Sequence, residues 1–100
     1  MARRLIALII IATFGVGGVA QAAGDAAAGK ARSAVCAGCH GGNGQGMGPN
    51  PALAGKPEAD LVRALKEFKS GRTTSIMHGL AATLSGQDIE NLAAYYASLK

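Results

Sequence analysis

Cys36-Ala37-Gly38-Cys39-His40 is the stretch that decides the fold. It reads C-x-x-C-H, the spacing of covalent c-type haem attachment. Two cysteines three residues apart lie on one face of a helical turn. Both sulfurs can then reach the two vinyl groups along one side of a single porphyrin. The histidine that follows is carried beneath the ring, where an imidazole nitrogen can bind iron along the axis. Three other chemistries share parts of the pattern. A thioredoxin-like redox pair needs a βαβ setting, and the chain shows no strand-like alternation. Zinc takes four ligands, and beyond Cys36, Cys39 and His40 only His78 remains as a neutral nitrogen donor. A disulfide across so short a loop would constrain the unfolded chain little.

Upstream, Arg3 and Arg4 precede an almost wholly apolar run from Leu5 to Val16, and Ala20-Gln21-Ala22 offers a small-x-small cleavage site. The expectation is a cleaved signal peptide over residues 1–22 and a single monohaem domain over 23–100, exported to the periplasm. The apolar run is shorter than the ~20 residues that span a bilayer; an uncleaved anchor is the alternative. Export fits the cysteines, because an exposed thiol pair oxidises outside the cytoplasm and thioether bonds remove that option. The formal charge of +4 counts Arg3 and Arg4, and without them eight basic residues stand against six acidic ones, leaving +2. Two ionised haem propionates would bring this near zero, so nothing points to nucleic acid. The 78 residues from 23 to 100 hold no Trp and only Phe68, Tyr95 and Tyr96 as aromatics. A core this thin supplies little surplus stability at this size and calls for a staple. A cross-linked, buried porphyrin would be one.

Asp25 is a good N-cap for a helix expected over Ala26 to Val35. Gly29 interrupts that helix, either as a tolerated defect or as the site of a close helix crossing, and the crossing is favoured. Residues 41–55 are turn chemistry, without the ending of a phosphate-binding loop. Placed after His40, this loop should wrap the proximal face, with Pro49 or Pro51 in range to accept the second imidazole N–H. Pro57 and Glu58 open another helix, with Leu61, Leu65 and Phe68 on one apolar stripe and Gly71 as its stop. Arg63, Lys66, Lys69 and Arg72 lie off the stripe, as a solvated face or as a docking patch for an acidic partner. Ser85 with Asp88 forms an S-x-x-D capping box. The helix after it carries two stripes, Leu92-Tyr95-Leu99 and Ile89-Ala93-Tyr96, so it should pack on both the first helix and the haem edge.

The segment Arg72 to Gly79 is the place for a distal ligand. Met77, His78 and Met47 are the candidates. Met47 follows His40 by seven residues in the proximal loop, which makes the far face awkward to reach. Met77 and His78 come from a separate segment. A filled sixth position implies electron transfer, and an open one implies ligand binding or activation.

Taken together, Gly24-Asp25 with Gly29-Lys30, Cys36 to Gly41, Pro51-Ala-Leu53-Ala-Gly55, Met77, Leu84-Ser85 and Leu92-Ala-Ala-Tyr95-Tyr96 resemble class I c-type cytochromes. The likeness is greatest to the small bacterial monohaem c553/c554 type and to single domains of dihaem cytochrome c4. The resemblance implies an all-α fold of three to four main helices around one covalently bound haem c. It implies thioethers from Cys36 and Cys39, His40 as proximal iron ligand and Met77 as distal iron ligand. It also implies a hydrogen bond from His40 to the Pro51 carbonyl, and a crossing of the first and last helices near Gly29 and Tyr95. His78 would face solvent or the propionates. The span from Pro51 to Met77 is short for the family, which suggests a trimmed loop and a more exposed haem. The implied function is a single-electron carrier, not an enzyme, cycling between ferrous and ferric iron. It would be a monomer with no stable membrane span after cleavage, meeting redox donors and acceptors transiently at the haem edge. A haem subunit of a periplasmic oxidoreductase, such as the partner of a sulfur-oxidising flavoprotein, and a haem enzyme or gas sensor with an open distal site are the alternatives.

Overall fold

Among the described residues five helices follow one another: α1 (Ala26–Arg32), α2 (Ala34–His40), α3 (Glu58–Ser70), α4 (Ile76–Ala81) and α5 (Gly86–Ser98). The computed structural model describes residues 24–73 and 75–100. The signal segment expected over 1–22 lies outside the described residues. Among the described residues the only β-type pairing is an isolated bridge between Met47 and Asn50.

Asp25 caps α1 as its sequence suggests, its carboxylate accepting from the backbone N–H groups of Ala27 and Ala28. The helix expected to run on to Val35 is instead broken at Ser33. The Ser33 hydroxyl donates to the Lys30 carbonyl at 2.7 Å, competing with the helical ladder. A second helix, α2, then carries the whole Cys36–His40 stretch.

The first and last helices cross in close contact. Gly29 is buried there. A Cβ added to it would lie 2.0 Å from the Asn91 carbonyl oxygen and 2.8 Å from Tyr95 Cβ, so only glycine lets the two backbones meet. Two polar ties fasten the same pair of helices. The Asp25 N–H donates to Asn91 Oδ1 at 2.8 Å, and Arg32 pairs with Asp88 at 3.4 Å. The capping box of α5 is complete, with the Ser85 hydroxyl accepting from the Asp88 N–H and the Asp88 carboxylate accepting from the Ser85 N–H.

The core is small. Ile89 and Leu92 are its two largest fully buried side chains, and Leu61, Leu84, Ala93, Tyr95 and Tyr96 complete it. All but Leu61 and Leu84 belong to α5. The last helix is therefore the spine on which α1, α3 and the long loop pack. That loop turns through positive-φ glycines at 41, 44, 46, 48 and 55. It closes on itself where the Gly44 carbonyl accepts from Leu53 and Ala54.

Candidate cofactor site

Each turn of α2 brings one part of the Cys36–His40 stretch to the same cavity. This cavity, about 410 Å³, is lined by α2, the loop, α3, α4 and α5. Its size falls in the range of small-molecule and cofactor sites. Cys36, Cys39 and His40 come from α2, and Met77 comes from α4. The apolar stripe of α3, Leu61, Leu65 and Phe68, faces it as well, together with Leu92, Ala93 and Tyr96 of α5. Both stripes read for α5 reach this wall, Leu92 from one and Ala93 and Tyr96 from the other, while Tyr95 meets Gly29 at the α1 crossing.

His40 is 6% exposed. Its Nδ1 lies 2.7 Å from the Pro51 carbonyl oxygen. A carbonyl only accepts, so Nδ1 carries the proton and donates. Nε2 is then the bare nitrogen, with its lone pair free for a metal. A second-sphere bond of this kind fixes the tautomer and raises the basicity of the ligating nitrogen. Pro51 itself has no N–H to compete and is stiff in φ.

No disulfide joins the two cysteines. Cys36 is half-buried and Cys39 exposed. Burial pushes the Cys36 thiol above its ordinary range, with the Tyr96 hydroxyl partly offsetting this by hydrogen bonding. Burial likewise raises the Tyr96 hydroxyl. Among the described residues no three His, Cys, Asp or Glu side chains form a group that could hold a metal ion by themselves. The zinc alternative therefore lacks its donors.

The remaining candidates separate cleanly. Met47 is 50% exposed and does not line the cavity. His78 is exposed and also off the cavity wall. Its Nδ1 lies 2.8 Å from the Phe68 carbonyl at the end of α3, a contact that no sequence pattern signals. Met77 is half-buried and on the wall. The expected basic patch is reduced. Arg63 pairs with Asp60 at 3.0 Å, and Lys69 donates its Nζ proton to the Leu84 carbonyl. Lys66 and Arg72 remain beside an open groove on α3.

The donor set is one neutral imidazole nitrogen, one thioether, two thiols and an aliphatic and aromatic wall. It suits an apolar macrocycle attached through sulfur and ligated on its metal by nitrogen and thioether. The residues fit haem c.

Comparisons with known proteins agree. The cytochrome c family model matches residues 26–100. Cytochrome c4 of Pseudomonas aeruginosa is 46% identical over 102 residues, covering 100% of this chain and 50% of that protein. The chain thus spans about half the length of the cytochrome c4 relatives it matches. Cytochrome c-554(547) of Halothiobacillus neapolitanus is 46% identical over 91 residues, covering 78% of this chain and 100% of that protein. The crystal structure of reduced recombinant cytochrome c4 from Pseudomonas stutzeri superposes with a TM-score of 0.70 at 39% identity, covering 78% of this chain and 47% of that one. No helix among the described residues is long and apolar enough to cross a membrane.

Proposed function

The chain belongs to the cytochrome c family, and from that premise we propose that it is a periplasmic single-electron carrier rather than an enzyme. Covalently bound haem c is the prosthetic group of the family, and when bound it supplies a one-electron ferrous/ferric couple. Cys36 and Cys39 hold it by thioether bonds. His40 would give the lone pair of Nε2 to the iron, its ring fixed by the Pro51 carbonyl. Met77 would supply a neutral sulfur ligand, which raises the potential relative to a second histidine. Leu61, Leu65, Phe68 and Leu92 keep water from the ring, so the surroundings reorganise little when the charge changes. With His40 and Met77 both holding the group, this chain's own side chains would leave no position open for oxygen or substrate.

One observation carries this function: His40 and Met77, from separate helices, line a single apolar cavity together with both cysteines. Residues 1–22 serve as a cleaved signal peptide and 23–100 as the haem domain. The carrier works as a monomer, meeting redox donors and acceptors at the haem edge through interfaces under ~1,200 Å².

Redox titration with carbon monoxide present tests this. The holoprotein should give one reversible one-electron wave, and its ferrous form should not bind the gas. A high-spin ferric spectrum, or rapid carbon monoxide binding, would make it a ligand-binding or catalytic haem protein instead.

A further inference from the structure

Met77 sits on the weakest element of the fold. Helix α4 has only six residues, Ile76–Ala81, well short of the ~12–15 at which an isolated helix becomes even marginally stable in water. Ala81 is its one buried residue, while Ile76 is 82% and Leu80 38% exposed. The helix packs against α3, but with a single fully buried side chain that packing holds its register only weakly. Its N-cap, the Ser75 hydroxyl accepting from the Met77 N–H at 3.2 Å, is local and does not tie it to the rest of the molecule.

The end of α3 supplies those ties. His78 Nδ1 lies 2.8 Å from the Phe68 carbonyl, and as the carbonyl can only accept, Nδ1 is the donor. Phe68 O is one of the last carbonyls of α3, which lack a partner further along their own helix. It also accepts from the Gly71 N–H at 3.1 Å, so both its lone pairs are used. Gly71 stands at φ +78°, and a Cβ there would lie 3.2 Å from His78 Cε1. The bare turn is what lets the imidazole lie against it. On the far side of α4, Lys69 of the same turn donates to the Leu84 carbonyl. Phe68 meanwhile lines the cavity that Met77 lines.

We propose that His78 is a positioning residue for the distal ligand. Its bond to the Phe68 carbonyl holds α4 in the register that keeps the Met77 sulfur on the cavity wall, and so slows release of the thioether from iron. This rests on Met77 being the distal ligand. A residue that only capped α3 would affect melting and leave the ligand alone.

The test is displacement of the distal thioether by added imidazole in the ferric holoprotein, followed as loss of the far-red Met-to-iron band. Wild type, His78→Leu and His78→Asn are compared. Leucine keeps cover over Gly71 but cannot donate, whereas the asparagine amide N–H stands near the place of imidazole Nδ1. His78→Leu should speed displacement roughly fivefold, the effect of one ordinary hydrogen bond on an opening equilibrium, and His78→Asn should restore the wild-type rate. Equal rates in wild type and His78→Leu overturn the proposal, as does an asparagine variant as fast as the leucine one. A wild type without the far-red band brings down the Met77 ligation and this proposal together, which distinguishes that failure from failure of the tie alone. Should His78→Leu not accumulate as holoprotein, His78→Ala is read in the same assay, since it too removes the donor to the Phe68 carbonyl. Faster release supports the tie, and an unchanged rate overturns it.

Discussion

Replacing Gly29 with alanine should force α1 and α5 apart. The new Cβ would stand 2.0 Å from the Asn91 carbonyl oxygen against the 3.4 Å at which ordinary contact begins, a shortfall of 1.4 Å. The obstructing atom is backbone inside a helix, so no rotamer can yield. Overpacking of a tight core costs about 1–3 kcal/mol, and a clash with backbone belongs at the top of that range. Alanine returns about 1 kcal/mol through helix propensity. The net loss is about 2 kcal/mol, which lowers Tm by roughly 8–16 °C in a domain of this size. Thermal unfolding of the ferric holoprotein by circular dichroism measures it. Gly86→Ala is the control, since a Cβ at Gly86 meets nothing within 4 Å; its Tm should stay at or slightly above wild type. If Gly29→Ala melts at or above the wild-type temperature, the helices do not cross backbone to backbone at Gly29.

Asp88 gives a pH dependence. Its carboxyl is held below the usual carboxylate range, first by the Ser85 backbone N–H and further by Arg32. Its stabilising effect is therefore complete above the unfolded value of about 4 and is lost as pH falls through the lower folded value. Between about pH 5 and pH 2, Tm should fall further in wild type than in Asp88→Asn; parallel curves would contradict this. A third expectation concerns docking. Reversing Lys66 and Arg72 should slow electron transfer to an acidic partner through the association rate, with the loss shrinking as salt rises. Stopped-flow rates unchanged at low salt would return both residues to a solvated helix face.

Much of the site was legible because its signals are local. The α3 stripe Leu61-Leu65-Phe68 has helical period, and it faces the cavity. The Ser85–Asp88 box formed as its spacing indicates, and the glycine in the middle of α1 marked a real crossing. What escaped depends on partners distant in sequence or on a finely balanced backbone choice. Ser33 sits between strong helix formers, and its hydroxyl and backbone N–H both turn onto Lys30 O where α1 ends. Helix α4 has Gly79 near its middle and no long stripe, so no periodic pattern marks it; Ser75 as an N-cap was the one available signal. Lys69 reads as a surface charge by position on α3, but its stem reaches the Leu84 carbonyl across the fold. That contact, like His78 to Phe68, exists only once α4 has docked.

The far-red absorption of the ferric protein, wild type beside Met77→Ala, tests the central claim most directly. Wild type should show the Met-to-iron band. Met77→Ala should lose it while keeping haem attached through Cys36 and Cys39, and should then bind carbon monoxide when reduced. A band that survives Met77→Ala would place another methionine on the iron, and a wild type with no band at all would contradict the closed, thioether-ligated carrier.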